Sequence, residues 1–423
     1  VTLLIIALGL MILLFSGLPV AFSLAGLGTV MLLAKGLPLI MVAQNLHGAI
    51  DSFILLSVPL FLLMSNILLK GGVGRDLFEA VQSWVGHWPG GLGIAALLSC
   101  GLFSAISGSS VATAATVGTV AIPEMTKRGY SKSFTLGLLA AGGTLGILIP
   151  PSIPLIVYGV ITEESIGKLF LAGIGPGLLL MAFFSVYAVV YATVTSHHQP
   201  SPKASWQVRK SSTLRALPSA GLAVVMVAGI YSGAFTPTEA SAVGAVMAFL
   251  LTAFILRTLT RKALIEAVRQ TVSTTIVLFL VVIGAKIFGK AVTLYQVPMQ
   301  ISQLVDTHVT SVGLFLLIVA IILLIIGLFL ESLSMLLIMV PVLLPTVLAL
   351  GIDPIWFGIF FVVLIEIALI TPPVGLNLFV IQAVANTPLG TVVRGVTPFI
   401  VMMLISVVIL WAVPQVVTYI PFG

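Results

Sequence analysis

Gly146-Ile147-Leu148-Ile149-Pro150-Pro151-Ser152 returns as Ala368-Leu369-Ile370-Thr371-Pro372-Pro373-Val374, 222 positions further along the chain. Pro123 with Pro345, Gly129 with Gly351, Gly173 with Gly395 and Pro176 with Pro398 recur at the same offset. Each Pro-Pro pair interrupts a long apolar run. The second proline of a pair lacks an N–H and its ring clashes with the preceding turn, and the residue before a proline is pushed out of helical geometry. Each run is therefore expected to open into two half-helices. A repeated apolar chain with a break in mid-span of each copy implies a carrier whose site lies where broken helices meet near the bilayer midplane.

Composition sets the class. The 423 residues are 60% hydrophobic and 7% charged, and the mean hydropathy is +1.27. Soluble domains carry about 25% charged residues, so this chain cannot clothe a soluble core. It reads as an all-α polytopic protein with the lipid bilayer as its first partner. The net charge of +6 sits in short loops, as membrane topology requires, and gives no footprint for nucleic acid. One cysteine, Cys100, excludes an internal disulfide framework, and no His/Cys spacing suits a transition metal. His197 and His198 read as surface residues of a polar loop. No Gly-rich phosphate loop ending in Lys-Ser/Thr is present, so ATP is not expected. The first apolar stretch has no basic n-region and reads as a span rather than a signal peptide.

The pattern divides the chain into two halves, 1–195 and 216–423, joined by a polar linker over 196–215. Spans are expected at Leu3–Phe15, Val20–Ala34, Phe53–Leu69 and Leu169–Thr195, with flat segments at Leu37–Ile50 and Asp76–Trp88. The run 92–125 is too long for one span, and Ser107-Gly108-Ser109-Ser110 in its middle is turn and cap chemistry. It reads as a re-entrant hairpin, followed by the broken helix 133–161. The second half follows the same order: spans at Leu217–Phe235 and Ala240–Leu256, a flat Arg261–Gln270, a span at Ser273–Lys290, a hairpin over 311–350 with Glu331-Ser332-Leu333-Ser334 at its tip, a broken helix over 356–384 and a closing span at Val396–Val417. Arg209, Lys210, Arg215, Arg257, Arg261 and Lys262 flank one pair of spans and set both flanks in the cytoplasm. Counting from there, Lys127 and Arg128 are cytoplasmic and the two hairpins enter from opposite sides, an inverted repeat. Lys35, Lys286 and Lys290 oppose that count.

Half-helix ends carry chemistry. The C-terminal ends leave free carbonyls that suit a hard cation such as Na⁺, and the N-terminal ends offer N–H groups to an anion. Such groups cannot face lipid, so the hairpin tips are their expected partners. The candidate Na⁺ residues are Ser107, Gly108, Ser110, Gly146 and Ile149 in the first half, and Glu331, Ser332, Ser334, Thr371 and Gly375 in the second. Ser109, Ser152 and Asn377 are the candidate substrate residues. Glu331 is costly at membrane depth, roughly 2.5–3.5 kcal/mol, with a hydrogen bond to a neighbouring helix as its alternative role. Glu366, whose repeat partner is Thr144, is expected to anchor a helix contact, and Asn66 to lie near the inner end of its span. Glu163 and Glu164 read as a solvated loop, and the Gly142–Gly146 and Gly173–Gly177 runs as close helix packing.

Several stretches carry a resemblance. Ser107-Gly108-Ser109-Ser110-Val111-Ala112-Thr113-Ala114-Ala115, Ile122-Pro123-Glu124-Met125, Lys127-Arg128-Gly129-Tyr130, Gly146–Pro154, Val58-Pro59-Leu60-Phe61 with Asn66, and Thr371-Pro372-Pro373-Val374-Gly375-Leu376-Asn377 are similar to the large membrane subunit of TRAP transporters. The resemblance runs over essentially the whole chain and departs at Glu331, where Asp is expected. It implies an elevator-type fold and Na⁺-driven import of an organic anion such as a C4-dicarboxylate or sialic acid across the bacterial inner membrane; the two tip-and-break cages give an expectation of about two ions. It further implies a periplasmic binding protein and a small membrane subunit as partners. A stand-alone dicarboxylate carrier and a channel are the competing classes. An intramembrane enzyme would need paired acids or a Ser/Lys dyad at matched depth.

Overall fold

The computed structural model describes residues 2–195, 199–308 and 311–422, and no strand occurs among them. His197 and His198 lie outside the described residues. The first half contains α1 (Thr2–Phe15), α2 (Val20–Ala34), α3 (Ile40–Ile50), α4 (Ser57–Lys70), α5 (Val73–Val85), α6 (Gly91–Ser107), α7 (Ser110–Lys127), α8 (Lys132–Thr144), α9 (Ile153–Thr162) and α10 (Ile166–Thr195). The second contains α11 (Trp206–Tyr231), α12 (Pro237–Leu250), α13 (Arg261–Leu294), α14 (Val297–His308), α15 (Val312–Gly327), α16 (Ser332–Ala349), α17 (Pro354–Leu369), α18 (Leu376–Ala385), α19 (Leu389–Ala412) and α20 (Gln415–Phe422). Six of the described helices are long and apolar enough to cross a membrane, and a seventh span arises if the pair Ile40–Ala49 and Ile54–Lys70, bent by 58°, counts as one.

Local chemistry sets the ends. Ser131, Ser205, Thr260, Ser311 and Asp353 each accept a backbone N–H from the first turn of the helix they precede. Such a cap is worth about 1 kcal/mol. Thr236 and Glu239 form a reciprocal capping box at α12.

Three expectations differ from the structure. Helix α11 already starts at Trp206, because Ser205 caps it and no Gly or Pro follows before Pro218, so half of the expected polar linker is helical. The expected flat Arg261–Gln270 and the span after it are one continuous helix, α13, since nothing between them breaks the ladder; the Thr271 hydroxyl folds back onto the Ala267 carbonyl. The closing span ends at Ala412, and a short separate helix, α20, follows Pro414. Lys35, one of the cations opposing the charge count, donates its ammonium to the Leu294 carbonyl at the C-terminus of α13 and lies over the Tyr295 ring. Its place is set by a helix end rather than by loop charge.

The halves interlock. Helix α2 packs on α13 and α4 on α12; α7 packs on α18 and α9 on α16; α8 packs on α19 and α10 on α17. Shifted by 222 positions, each member of these pairs of contacts falls on the other. The centre is made by α8 and α17. Phe134 through Thr144 and Ile355 through Leu369 are buried without interruption, the all-round apolar pattern of a helix enclosed on every side. At the α8–α19 crossing Gly137 faces Gly395, and a Cβ on either would overlap backbone of the other helix. The Ser133 hydroxyl donates to the Thr391 carbonyl across the same seam at 3.1 Å.

This crossing predicts a contrast between two glycines. Gly395→Ala is expected to lower stability by about 2–3 kcal/mol through backbone displacement. Gly221→Ala, with open space around the added methyl, is expected to be neutral or stabilising. Thermal melts of both variants in one detergent check the ordering.

Candidate functional site

The first hairpin turns on two residues. Gly108 ends α6 in the left-handed region, φ 60°, and Ser109 is extended and caps α7 through Ala112 N. A Cβ on Gly108 would sit 2.6 Å from the Pro151 carbonyl oxygen, and one on Gly146 would sit 2.7 Å from the Ser109 carbonyl and 2.8 Å from Ser110 N. The tip is therefore seated backbone-on-backbone against the first break. Ser107 Oγ lies 2.9 Å from Thr113 Oγ1, which donates to the Ser109 carbonyl at 2.8 Å. Ser107, Gly108, Ser110 and Gly146 thus come together with carbonyl oxygens around them. Ile149 is not brought into that group: its N–H donates to the Leu145 carbonyl at 3.0 Å and its side chain packs toward Gly101 of α6 and Gly177 of α10.

The second tip meets the second break at Gly327, where a Cβ would overlap the Ala368 methyl. Glu331 caps α16: its carboxylate accepts from Ser334 N at 3.0 Å, Ser334 Oγ at 2.8 Å and Leu333 N at 3.4 Å. The alternative role, a hydrogen bond to a neighbouring helix, is not what occupies it, since these bonds stay within its own helix. The Thr371 hydroxyl donates to the Ile367 carbonyl at 2.6 Å, and Gly375 N donates to the Thr371 carbonyl at 3.1 Å. Ser332 and Thr371 are half-buried, whereas Gly375 and Ser334 are buried.

The two regions differ in closure. Pro150, Pro151 and Ser152 are all buried, while Pro372 is half-buried and Pro373 and Val374 are exposed. Both Pro-Pro bonds are cis. Phe329 beside the second tip meets Phe15 of α1 edge-on at 5.3 Å, so the second hairpin touches the first helix of the chain.

Of the three substrate candidates, Ser109 is partly open. Ser152 is fully buried and fully engaged: its hydroxyl donates to the Ile147 carbonyl and accepts Leu155 N. In this conformation it holds the break together and offers no open face. Asn377 is likewise buried. Its Nδ2 donates to the Ala140 carbonyl of α8 at 3.2 Å, and its Oδ1 has no partner. Asn377 therefore ties the second half-helix to the central helix of the other half.

Glu366 was undervalued by its position in the repeat. It is fully buried in α17, and neither carboxyl oxygen has a hydrogen-bond partner, so it anchors no helix contact of the expected kind. Asn66, by contrast, is a plain tie, donating to Thr271 Oγ1 at 2.9 Å. A lone Glu in an apolar run was the only sequence signal for Glu366.

Helical spans with seated hairpin tips and two opened helices define a polytopic membrane transport protein. Solved structures agree at the level of fold. The chain is similar to the YdaH transporter of Alcanivorax borkumensis, described as having an unusual topology, with a TM-score of 0.67 at 15% identity over 98% of this chain and 100% of that one. It also resembles MtrF of Neisseria gonorrhoeae, with a TM-score of 0.54 at 14% identity over 89% and 83%.

Residues 7–416 match the model of the tripartite ATP-independent periplasmic transporter, DctM component, and the chain belongs to that family. It is 42% identical to a C4-dicarboxylate TRAP transporter large permease protein of Pseudomonas aeruginosa, over 90% of this chain and 88% of that one. It is 38% identical to a sialic acid TRAP transporter large permease protein of Vibrio cholerae, over 97% and 96%. An ectoine TRAP transporter large permease protein of Halomonas elongata is 35% identical over 89% and 88%. The chain is a TRAP large permease, a membrane component of solute uptake.

Two substitutions separate structure from function here. Glu331→Ala is expected to cost about 1 kcal/mol through loss of the cap. Glu366→Leu removes a buried unpartnered carboxyl and is expected to raise stability by about 1–2 kcal/mol, while lowering uptake. Melting curves and a transport assay on the same preparations check both.

Proposed function

We propose that the chain is the Na⁺-coupled permease of an organic-anion importer in the bacterial inner membrane. The observation that carries this reading is the seating of the first hairpin tip on the first break: the Pro151 carbonyl oxygen lies 2.6 Å from the position a Cβ on Gly108 would take, and tip backbone 2.7–2.8 Å from that of a Cβ on Gly146. Backbone held that close gathers carbonyl and hydroxyl oxygens, the ligand type a small hard cation takes. Ser107, Gly108, Ser110 and Gly146 form the first such set. Glu331, Ser332, Ser334, Thr371 and Gly375 form the second, with Glu331 supplying the charge. The ions are cargo, about two per cycle, and their binding draws each tip onto its break.

The anion then lies between the tips. Half-helix N-termini and the Ser109 hydroxyl meet its carboxylate, while Ser152 and Asn377 hold the half-helices in position. The relatives named above for C4-dicarboxylate and sialic acid support an organic anion. The ectoine relative bears a zwitterion's name, which fits a site with no fixed cation. The halves are read as inverted repeats. The hairpins and broken helices are read as the part that moves, elevator-fashion, against a frame of α1–α5 and α11–α14. A small membrane subunit and a periplasmic binding protein complete the system.

Reconstitution with those two partners tests the reading. Uptake of labelled sialic acid or succinate is expected only under an inward Na⁺ gradient with the binding protein present. Gly146→Ala and Glu331→Gln are each expected to weaken Na⁺ dependence about tenfold, near 1.4 kcal/mol, with a folded protein. Uptake without the binding protein would favour a stand-alone carrier. Passive flux indifferent to Na⁺ would sink the carrier reading.

A further inference from the structure

The two half-helices that follow the breaks are repeat mates with opposite surroundings. In α9 every residue from Ile153 to Gly159 is buried. In α18 only Asn377, Leu378 and Ile381 are buried. Leu376, Phe379, Ala383 and Asn386 are exposed, at the three- and four-residue spacing of one helix face. With Pro373 and Val374, also exposed, they make an open line from the second break to the end of α18.

The cause lies in what packs on each helix. Residues 54–70 and α16 cover α9, and Val157 lies in an apolar seam with Leu55, Val58, Phe279, Leu333 and Leu337. Phe379 holds the position of Val157 in the second copy, 222 residues on, and is 42% exposed. Helix α13, whose residues 276–292 repeat 54–70, packs on α16 and leaves the Phe379 face of α18 uncovered.

The open line runs toward the cytoplasm. A Cβ on Gly118 of α7 would sit 3.2 Å from Ile381 and 3.7 Å from Val384, so α18 descends beside α7. The Ser133 hydroxyl meets the Thr391 carbonyl just beyond. Lys127, Arg128, Lys132 and Arg394 all belong to the segments joined there, the charge pattern of a cytoplasmic face. A cavity of about 570 Å³ opens at this end, lined by Phe379, Gln382, Ala383, Asn386, Thr387 and Pro388. Its wall offers two side-chain amides and no charged group. Water rather than lipid fills the line, because an opened helix end cannot face hydrocarbon and this one is exposed at Pro373 and Val374.

We propose that this face of α18 lines the water-filled route by which the transported solute leaves the second break for the cytoplasm, passing Phe379 and then the amides of Gln382 and Asn386. The direction of travel and the class of solute rest on the importer reading above; the open route does not. Uncharged amides bind a carboxylate more weakly than a fixed cation would, which suits a place of release.

Thiol labelling tests the route. Cys100, the only cysteine, is buried and gives no background. Phe379→Cys and Ala383→Cys are made in the full chain. Val157→Cys is the repeat-matched control, and Val224→Cys, on a face of α11 that is 65% exposed, is the control for lipid. A membrane-impermeant methanethiosulfonate is added to inside-out membrane vesicles. It needs a thiolate in water, so Phe379→Cys and Ala383→Cys are expected to label at least about tenfold faster than either control. Ala383→Cys changes little bulk and keeps the test if Phe379→Cys fails to fold. Labelled Phe379→Cys, reconstituted with the small subunit and the binding protein, is expected to lose most of its uptake, and labelled Ala383→Cys likewise. Labelling of both variants no faster than Val224→Cys would overturn the water-filled line. Labelling of Val157→Cys at the rate of Phe379→Cys would overturn the contrast between the halves, and full uptake after labelling would overturn passage of the solute. Uptake of neither succinate nor sialic acid by the unmodified chain would count against the organic-anion reading alone, since labelling needs no solute.

Discussion

Inside a bilayer no water can satisfy a backbone group that a helix has released, and each such group costs several kcal/mol if left bare. Two helices of this protein are opened at Pro150-Pro151 and Pro372-Pro373, and much of the surrounding structure answers that release. Ser152 bonds both sides of the first break. The first hairpin brings its turn to the break at backbone distance, which Gly108 and Gly146 make sterically possible. The second break is treated more loosely, with Thr371 and Gly375 bonding locally and Pro373 left open.

The two halves share an order of helices and a pattern of contacts, yet their chemistry differs, most of all where the second half carries a carboxyl in place of a hydroxyl. Ser109 and Thr144 in the first half stand where Glu331 and Glu366 stand in the second. One of these carboxyls is absorbed locally, since Glu331 caps α16 with three hydrogen bonds. The other is enclosed in the most deeply buried helix with no partner. A group that costs about 1–3 kcal/mol in that state sits one helical turn from the break, so the second half carries the larger polar burden although its break is the less covered.

Local rules carried well wherever a boundary depends on a few neighbouring residues. The hairpin turn at Gly108-Ser109 and the interruptions near Pro150 and Pro372 could be read directly, because turn, cap and proline chemistry act over three or four residues. Boundaries without such a signal were not legible. Nothing local distinguishes a flat segment followed by a span from the single helix α13, and polar residues before Pro218 read as linker although Ser205 starts α11 there. At the candidate site, proximity of Ser107–Ser110 to Gly146 followed from the rule that opened helix ends cannot face lipid. The engagement of Glu331 with its own helix and of Asn377 with Ala140 did not, since both depend on side-chain direction in packed helices.

Composition, the 222-residue recurrence and two Pro-Pro pairs were enough to determine that this chain lives in a membrane, repeats itself and opens two of its helices. Those properties are additive along the chain: each rests on local hydropathy or on a ring that cannot join a helix. Only the tertiary structure decided which oxygens face one another, that one break is closed and the other open, and that Glu366 has no partner. Those properties are differences between competing contacts, and helices far apart in sequence, such as α8 with α19 and α9 with α16, set them by excluding water and choosing which polar group meets which.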